Sequence, residues 1–267
     1  MRLDSLYITQ IIIIFMLISG CSTAELSSNK EDTATTTIRV SAASSLQDVM
    51  NETKKVFENQ HSNITVVFNF GSSGSLKQQI SMDAPIDLYL SASTQTVNAL
   101  VEEGKLKENN IANVLQNELV LIEPAHSDSK IEQLQDITKD NIEKIAIGTP
   151  DSVPAGKYAE ESLENIDGFD KKNLTLVQAK NVRQVLTYVE NEDVAAGFVY
   201  KTDALISDKI NTVISIDNDY HSPINYPAAI TNQGKDKQEA QALFQFFQSD
   251  SFKKIAEDYG FKAQVEQ

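Results

Sequence analysis

The sequence predicts an α/β fold of two lobes, each a mainly parallel sheet flanked by helices, with a cleft between the lobes. Short β-branched strands alternate with amphipathic helices, which is typical of parallel sheets with crossover helices. The alternation occurs twice along 267 residues, a length that suits one large or two medium domains. Small or hydroxyl residues directly follow four of the strands, where α/β proteins form clefts.

Composition excludes several classes of partner. The chain is 41% hydrophobic and 23% charged, as in ordinary globular proteins, and its net charge is -15. Such a chain is a poor candidate for nucleic acid or for holding anionic lipid by charge. Any bound anion must therefore be held by a local site against the field of the whole molecule.

Cysteine and histidine are too few for the common metal sites. One cysteine allows no internal disulfide, and three histidines argue against a histidine-rich metal centre. We expect no cofactor and no metal ion ligated directly by the protein.

The first 20 residues are predicted to be a lipoprotein signal peptide. An apolar run at 11–18 is too short to span a bilayer, and Ser19-Gly20 then precede Cys21. This arrangement resembles a bacterial lipobox, in which a peptidase cuts before the cysteine and lipid is attached to Cys21. Residues 21–37 are polar and read as a flexible tether. The alternative is an ordinary secretory signal in which Cys21 is incidental.

Periodicity places the elements of the folded part. The first series comprises strands at 38–40, 64–70 and 86–90, with helices at 46–59, from 76 onward and near 94–103. The second series comprises strands at 119–122, 145–148, 175–177 and 195–199, with helices at 155–165 and 182–190. The chain ends with strands at 212–216 and 228–231 and helices at 236–248 and 251–258.

Two connections between the lobes are expected near strands 119–122 and 226–231. Lobe one would then comprise 38–119 plus 225–267, and lobe two 120–224. Two crossings make a hinge, and ligands bind in such clefts. A single large α/β sheet is the alternative.

Four predicted helix starts could bind an anion together. The first lies at Ser45, and Asp48 three residues later suggests that Ser45 is an N-cap with a capping-box partner. The second lies at 70–76, and the third at 151–158, where Pro154 suits the first turn of a helix. The fourth lies at Asn181, whose side chain can cap a helix. A helix start carries unpaired N–H groups and the positive end of the helix dipole. Several such starts aimed at one point bind an anion without lysine or arginine.

The chemistry of such a site favours a fully deprotonated oxyanion. Amide groups only donate hydrogen bonds, and hydroxyl groups can donate them. A protonated phosphate would need an acceptor that faces its proton. None of the four segments supplies an obvious acceptor, although Asp151 is close enough to need checking.

Six segments in order carry a family resemblance. They are AASSL at 42–46, FGSSGSL at 70–76, APIDLYLSA at 84–92, VPAGKYA at 153–159, NVR at 181–183 and GFVYKTDA at 197–204. Together they resemble the periplasmic molybdate-binding proteins of ABC importers, over about 38–261. The resemblance implies a periplasmic-binding-protein-like (type II) fold that binds molybdate or tungstate between its lobes by hydrogen bonds, with molybdenum present only as the bound oxyanion.

The resemblance also implies particular ligand groups. Ser45 and Ser73 would each give a hydroxyl and an amide, Ala155 and Val182 each a backbone N–H, and Tyr200 its phenolic O–H. An exported monomer, lipid-anchored to the bacterial cell membrane and facing outward, would deliver the oxyanion to ABC permease subunits.

Departures from the family pattern leave some roles open. Ser44 stands where the family often has alanine, and Gly74 where it often has serine, so Ser44 or Ser72 could share the hydroxyl role. Arg183 is interpreted as surface or structural, because the family motif uses the amide of the preceding residue.

Two other functions remain in competition. A binding protein for sulfate or another tetrahedral oxyanion would use nearly the same chemistry, with cavity size as the difference. A secreted serine hydrolase is a remote alternative, because 71–75 lacks the second glycine of a nucleophile elbow. His221, its best-placed histidine, has no evident partner. We therefore expect no enzyme activity.

Overall fold

The computed structural model describes residues 35–128, 131–138, 142–166, 169 and 174–264. The predicted signal peptide, Cys21 and nearly all of the predicted tether lie outside these residues. Within the described ranges, no helix has the length and apolar character needed to cross a membrane.

The first lobe is built on a six-stranded sheet. Its strands are β1 (Thr36–Ala43), β2 (Ile64–Gly71), β3 (Leu88–Leu90), β4 (Leu106–Gln116), β10 (Asn225–Thr231) and β11 (Lys262–Ala263). They lie in the order β11-β4-β10-β3-β1-β2. The helices that accompany them are α1 (Gln47–Gln60), α2 (Ser73–Ser81), α3 (Thr94–Glu102), α7 (Gln238–Phe246) and α8 (Asp250–Asp258). Strands from both ends of the domain therefore share one sheet.

The second lobe is built on a five-stranded sheet. Its strands are β5 (Leu119–Pro124), β6 (Lys144–Gly148), β7 (Thr175–Ala179), β8 (Ala196–Tyr200) and β9 (Ile210–Ser215), in the order β7-β6-β8-β5-β9. Its helices are α4 (Pro154–Glu164), α5 (Val182–Glu190) and the short α6 (Lys201–Ala204). The predicted two-lobe α/β class is confirmed.

Each sheet mixes parallel and antiparallel pairs, and the strand that enters from the other lobe runs against its neighbours. β1 is parallel to β2 and β3, and β6 is parallel to β7 and β8. β10 is antiparallel to both β3 and β4, and β5 is antiparallel to both β8 and β9. These reversed strands enter from the other lobe, whereas a parallel neighbour is reached through a crossover helix.

The chain crosses between the sheets just before each reversed strand. It leaves the first sheet after Gln116 and enters the second at Leu119, then returns between Ser215 and Asn225. The two crossings contact each other, because the Asn117 N–H donates to the Ile224 carbonyl at 3.2 Å. The exact lobe boundaries stay a prediction.

The core follows from the amphipathic helices. α1 buries Val49, Met50 and Phe57, while α5 buries Val185 and Val189. Fully burying one such large apolar side chain stabilises a fold by about 1.5–3 kcal/mol. These faces fix each helix against the strands that precede and follow it.

Local structure departs from the sequence prediction at Ser45. Ser45 lies inside a 3₁₀ turn, Ser44–Leu46, and the residue before that turn, Ala43, gives no side-chain cap. The predicted N-cap role of Ser45 is therefore wrong, because its hydroxyl bonds a distant tyrosine instead. Asp48 likewise contacts the Arg183 guanidinium at 2.7 Å and is no capping partner of Ser45.

The two lobes contact each other across the cleft. The Gly74 N–H donates to the Ser152 carbonyl at 2.9 Å. The Tyr158 hydroxyl donates to the Ala92 carbonyl at 3.2 Å. Together with the pair between Asp48 and Arg183, these contacts hold the lobes in a closed arrangement.

Closure requires a glycine at position 74. A Cβ added there would lie 2.6 Å from the Ser152 oxygen and 2.7 Å from its Cα. We expect Gly74→Ala to push the lobes apart by about 1 Å at this point, the shortfall against ordinary contact distances. Small-angle X-ray scattering should then give a larger radius of gyration than the native protein.

The control is Gly104→Ala, where nothing lies within 4 Å of the added Cβ. That glycine has a φ of 70°, so the change strains one turn without separating the lobes. Equal radii of gyration for native protein and Gly74→Ala would contradict this account of closure.

Glu118 joins the first crossing to both lobes. Its carboxylate pairs with Lys262 on β11 and lies 3.2 Å from the Lys201 ammonium on α6. The hydrogen bond from Lys262 is the main cause that lowers the pKa of Glu118, against the opposing effect of partial burial. This stabilisation is present at neutral pH and is lost as pH falls through the folded-state pKa.

We therefore expect Glu118→Gln to lower the free energy of unfolding by about 0.5–1 kcal/mol at neutral pH. The difference from the native protein should shrink in acid and vanish only below the lowered folded-state pKa of Glu118, where the carboxyl group is protonated in both states. Urea unfolding at several pH values measures it, with the exposed Glu108→Gln as control. A difference that persists in acid would show that Glu118 acts by packing alone.

Candidate functional site

Parallel pairing brings four helix starts to one place. Ala43 pairs with Gly71 at the ends of β1 and β2, and Gly148 pairs with Ala179 at the ends of β6 and β7. The turns that follow these strands therefore leave each sheet side by side. Lobe closure sets the two pairs of turns against each other.

A small cavity lies where they meet. All five predicted ligand residues line it: Ser45, Ser73, Ala155, Val182 and Tyr200. Seven others complete the lining: Ala43, Ser44, Gly71, Ser72, Ala92, Val153 and Pro154. None of these lining residues is a lysine, arginine, aspartate or glutamate. The cavity can therefore attract an anion only through dipoles.

The serines of the second turn have different roles. The Ser72 hydroxyl donates to Ser75 Oγ at 2.8 Å and accepts the Ser75 N–H at 3.3 Å, which caps α2. The Ser73 Oγ accepts the Ala92 N–H at 3.0 Å, and this leaves the hydroxyl proton of Ser73 to donate elsewhere. The geometry thus favours Ser73 over Ser72 as a donor to the cavity.

Ser45 is almost completely buried at the first turn. Its Oγ lies 3.0 Å from the hydroxyl oxygen of Tyr226, on β10. Ser44 also lines the cavity, so its share of the hydroxyl role stays open.

Ala155 and Val182 present backbone groups at helix starts. Val182 is the first residue of α5, which Asn181 caps by accepting the Gln184 N–H at 2.9 Å, as predicted. Ala155 follows Pro154, the first residue of α4, and the N–H groups of a first helical turn have no acceptor within the helix. Both positions therefore offer backbone donors to the cavity.

The start of α4 lies unusually close to β6. A Cβ at Gly156 would fall 1.9 Å from the Gly148 carbonyl oxygen. Only glycine lets the helix approach the strand end so closely, and this explains the glycine of the motif at 153–159.

Tyr200 contributes a hydroxyl with no partner. It ends β8, is 1% exposed, and its phenolic oxygen has no hydrogen bond within the described part of the chain. Burial raises the pKa of Tyr200 well above its ordinary value, so the hydroxyl keeps its proton. A buried hydroxyl without a partner is costly, and a ligand that accepts its proton would remove the cost.

Arg183 follows Val182 but does not line the cavity. Its Nη2 lies 2.7 Å from an Asp48 oxygen, and its Nε lies 2.6 Å from an oxygen of the fully buried Asp203. Burial raises the pKa of Asp203 to about 6, against the opposing effect of the Arg183 charge. The guanidinium is thus engaged by carboxylates, in agreement with a structural role.

Asp151 lines a neighbouring open cleft and is absent from the cavity lining. The question raised by the sequence is therefore answered: this carboxylate does not face the cavity as an acceptor. No group of three or more metal-binding side chains occurs among the residues that the model describes.

His221 packs beside Tyr158, with ring centroids 5.8 Å apart, and its Nδ1 lies 2.8 Å from the Ser222 carbonyl oxygen. It is not a residue of the serine-lined cavity.

Sequence reasoning missed Tyr226 and Asn117. The Asn117 amide donates to the Tyr226 oxygen at 3.3 Å and to Thr202 Oγ1 at 2.9 Å. Neither residue belongs to a local motif, and 181 positions separate Ser45 from Tyr226. No sequence signal could have identified this contact.

Known proteins resemble this chain over most of its length. A protein of Bacillus subtilis (strain 168), provisionally named an ABC transporter substrate-binding lipoprotein (YvgL), is 43% identical over 94% of this chain and 95% of its own. The molybdate-binding protein ModA of Haemophilus influenzae is 34% identical over 86% of this chain and 91% of its own.

A solved structure is similar as well. It is the substrate-binding domain of a provisionally assigned molybdenum ABC transporter from Clostridium difficile, 40% identical, with a TM-score of 0.67. The similarity covers 86% of this chain and 99% of that one.

A family model described as "Bacterial extracellular solute-binding protein" matches residues 38–262. That range contains nearly all of both sheets and every residue that lines the cavity. The chain therefore belongs to the bacterial extracellular solute-binding protein family.

Proposed function

We propose that this protein captures molybdate, or the closely similar tungstate, between its lobes and delivers it to an ABC importer. Ser45 and Ser73 donate hydroxyl and amide protons, Ala155 and Val182 donate backbone N–H groups, and Tyr200 donates its phenolic proton. The protein acts by binding and release, without catalysis.

One observation carries this proposal above the others. The cavity combines four helix starts with a buried, unpartnered Tyr200 hydroxyl, and its lining contains no charged side chain. Donors without acceptors suit an oxyanion that is fully deprotonated at neutral pH. The molybdate-binding name of the Haemophilus influenzae relative agrees with this chemistry.

The energetics are sufficient for tight binding. A hydrogen bond to a charged partner contributes about 1.5–3 kcal/mol. Roughly seven such bonds, less the cost of desolvating a dianion and closing the lobes, leave about 8–12 kcal/mol, or micromolar to nanomolar affinity.

Sulfate and other tetrahedral oxyanions are the nearest alternative ligands, because they accept hydrogen bonds in the same geometry. Competition separates them: calorimetry with molybdate, tungstate and sulfate should rank the first two far above sulfate. If sulfate binds as tightly as molybdate, the molybdate assignment fails while oxyanion binding stands.

We expect Ser73→Ala to weaken molybdate binding by about 10- to 100-fold, since it removes one charge-assisted hydrogen bond. The Ala92 N–H also loses its acceptor, so thermal unfolding of the free variant should be followed alongside calorimetry.

The control is Ser81→Ala at the far end of the same helix, where the hydroxyl bonds the Lys77 carbonyl and Glu103. This variant should keep native affinity. Native affinity in a folded Ser73→Ala protein would remove Ser73 from the binding site.

The same proposal includes a lipid anchor on Cys21. The Bacillus subtilis relative is named a lipoprotein, and Cys21 follows an apolar run and two small residues. An anchor would keep the binding protein beside the permease on the outer side of the bacterial cell membrane.

Cys21→Ala should abolish lipid attachment, because the sole thiol is lost. Expression in a bacterial host with radiolabelled palmitate should label the native protein and not the variant. A conservative Ser19→Ala change serves as control and should retain label. Equal labelling of native protein and Cys21→Ala would exclude anchoring at this cysteine.

A further inference from the structure

The two serines that face the cavity share a feature that their sequence motifs do not show. Each Oγ lies against a partner on its own lobe, which is the Ala92 N–H for Ser73 and the Tyr226 hydroxyl for Ser45. The Ala92 N–H can only donate, so the Ser73 hydroxyl accepts from it and must donate its own proton to a different group. The tyrosine could either donate or accept, and its own surroundings must decide the direction.

Asn117 decides the direction. Its Oδ1 accepts the Glu118 N–H at 2.9 Å, which fixes the side-chain amide so that Nδ2 faces Tyr226. The Nδ2 group carries two protons and no acceptor; one proton goes to Thr202 Oγ1 and the other to the Tyr226 oxygen. The Tyr226 proton therefore cannot point toward Asn117. The nearby Tyr200 hydroxyl makes no hydrogen bond in the described part of the chain, whereas Ser45 Oγ lies at hydrogen-bond distance, so Ser45 is the acceptor for that proton.

We propose that Tyr226, held by Asn117, is a positioning residue that donates its proton to Ser45 Oγ and thereby turns the Ser45 proton into the cavity. This inference rests on the proposed oxyanion function and adds a determinant of specificity. The chain of donors runs from Asn117 through Tyr226 and Ser45 to the ligand.

The arrangement is rigid and protected from water. Tyr226 is 0% exposed, Ser45 2% and Asn117 9%. Burial also raises the pKa of Tyr226 above its ordinary value, so the phenol keeps the proton that the chain of donors requires. Tyr226 lies on strand β10, directly after the second crossing between the lobes. Ile224, in that crossing, accepts the backbone N–H of Asn117.

The consequence is selectivity between oxyanions. The Tyr226 proton takes one of the two lone pairs of the Ser45 oxygen and directs the Ser45 proton to the ligand, so Ser45 meets the ligand as a donor. Without the phenolic hydroxyl, the Ser45 proton could turn away from the ligand, and the Ser45 oxygen could then accept the proton of hydrogen phosphate. Tyr226 thus helps the site to reject a protonated oxyanion of similar shape.

A double-mutant cycle tests the proposal. Calorimetry is run on the native protein, Tyr226→Phe, Ser45→Ala and the double variant, with the oxyanion that the native protein binds most tightly among molybdate, tungstate and sulfate. Tyr226→Phe should weaken binding about tenfold in the native background and have almost no effect in the Ser45→Ala background. Tyr226→Phe should also bring hydrogen phosphate closer to that oxyanion in affinity.

Tyr89→Phe is the matched control. It removes an equally buried phenolic hydroxyl, but one that donates to the Ser73 carbonyl and lies within hydrogen-bond distance of Thr96. The ratio of affinities for hydrogen phosphate and the preferred oxyanion should stay native in this variant. If Tyr226→Phe does not fold, as judged by circular dichroism, Asn117→Ala takes its place in the cycle and should show the same dependence on Ser45.

The outcomes separate the two proposals. Equal weakening by Tyr226→Phe with and without the Ser45 hydroxyl would overturn the positioning role while leaving the oxyanion function intact. An unchanged ratio of the affinities for hydrogen phosphate and the preferred oxyanion in Tyr226→Phe would also overturn the positioning role. If the native protein bound none of the three oxyanions, both proposals would be overturned.

Discussion

The convergence of helix starts on a cavity lined by no charged side chain is the constraint on which the rest of the structure depends. Two parallel strand pairs, β1 with β2 and β6 with β7, set these starts side by side in each lobe. Their dipoles attract an anion although the chain carries a net charge of -15. The one arginine next to the cavity is engaged by Asp48 and Asp203, so the attraction does not depend on its charge.

This constraint explains why the lobes must close. In the proposed site, four of the seven donors come from the first lobe and three from the second, so a small anion would be fully coordinated only when the lobes meet. The contact from Gly74 to Ser152 brings the turns together, and the pair between Arg183 and Asp48 spans the same gap. Opening would remove all of the hydrogen bonds from one lobe at once, which provides a physical route for release to a transporter.

Much of the fold could be predicted from hydrophobic periodicity. Most strands and helices lie within a few residues of their predicted positions, because each buries one apolar face. β4 was missed because its sequence, Leu106–Gln116, carries several exposed polar residues and lacks a clear alternation. α6 and β11 are too short to leave a periodic signal. The reversal of β5 and β10 was also missed, since it depends on the path between lobes.

The candidate site could likewise be predicted from the sequence only in part. By itself, the sequence determined the small and hydroxyl residues at the helix starts, and their motifs pointed to Ser45, Ser73, Ala155, Val182 and Tyr200. Tertiary structure alone decided which hydroxyls are free. Ser72 is used by its own helix cap, Ser73 is oriented by Ala92, and Ser45 by Tyr226. The reason is physical: a motif fixes local backbone geometry, whereas the direction of a hydroxyl proton depends on partners brought together only by folding.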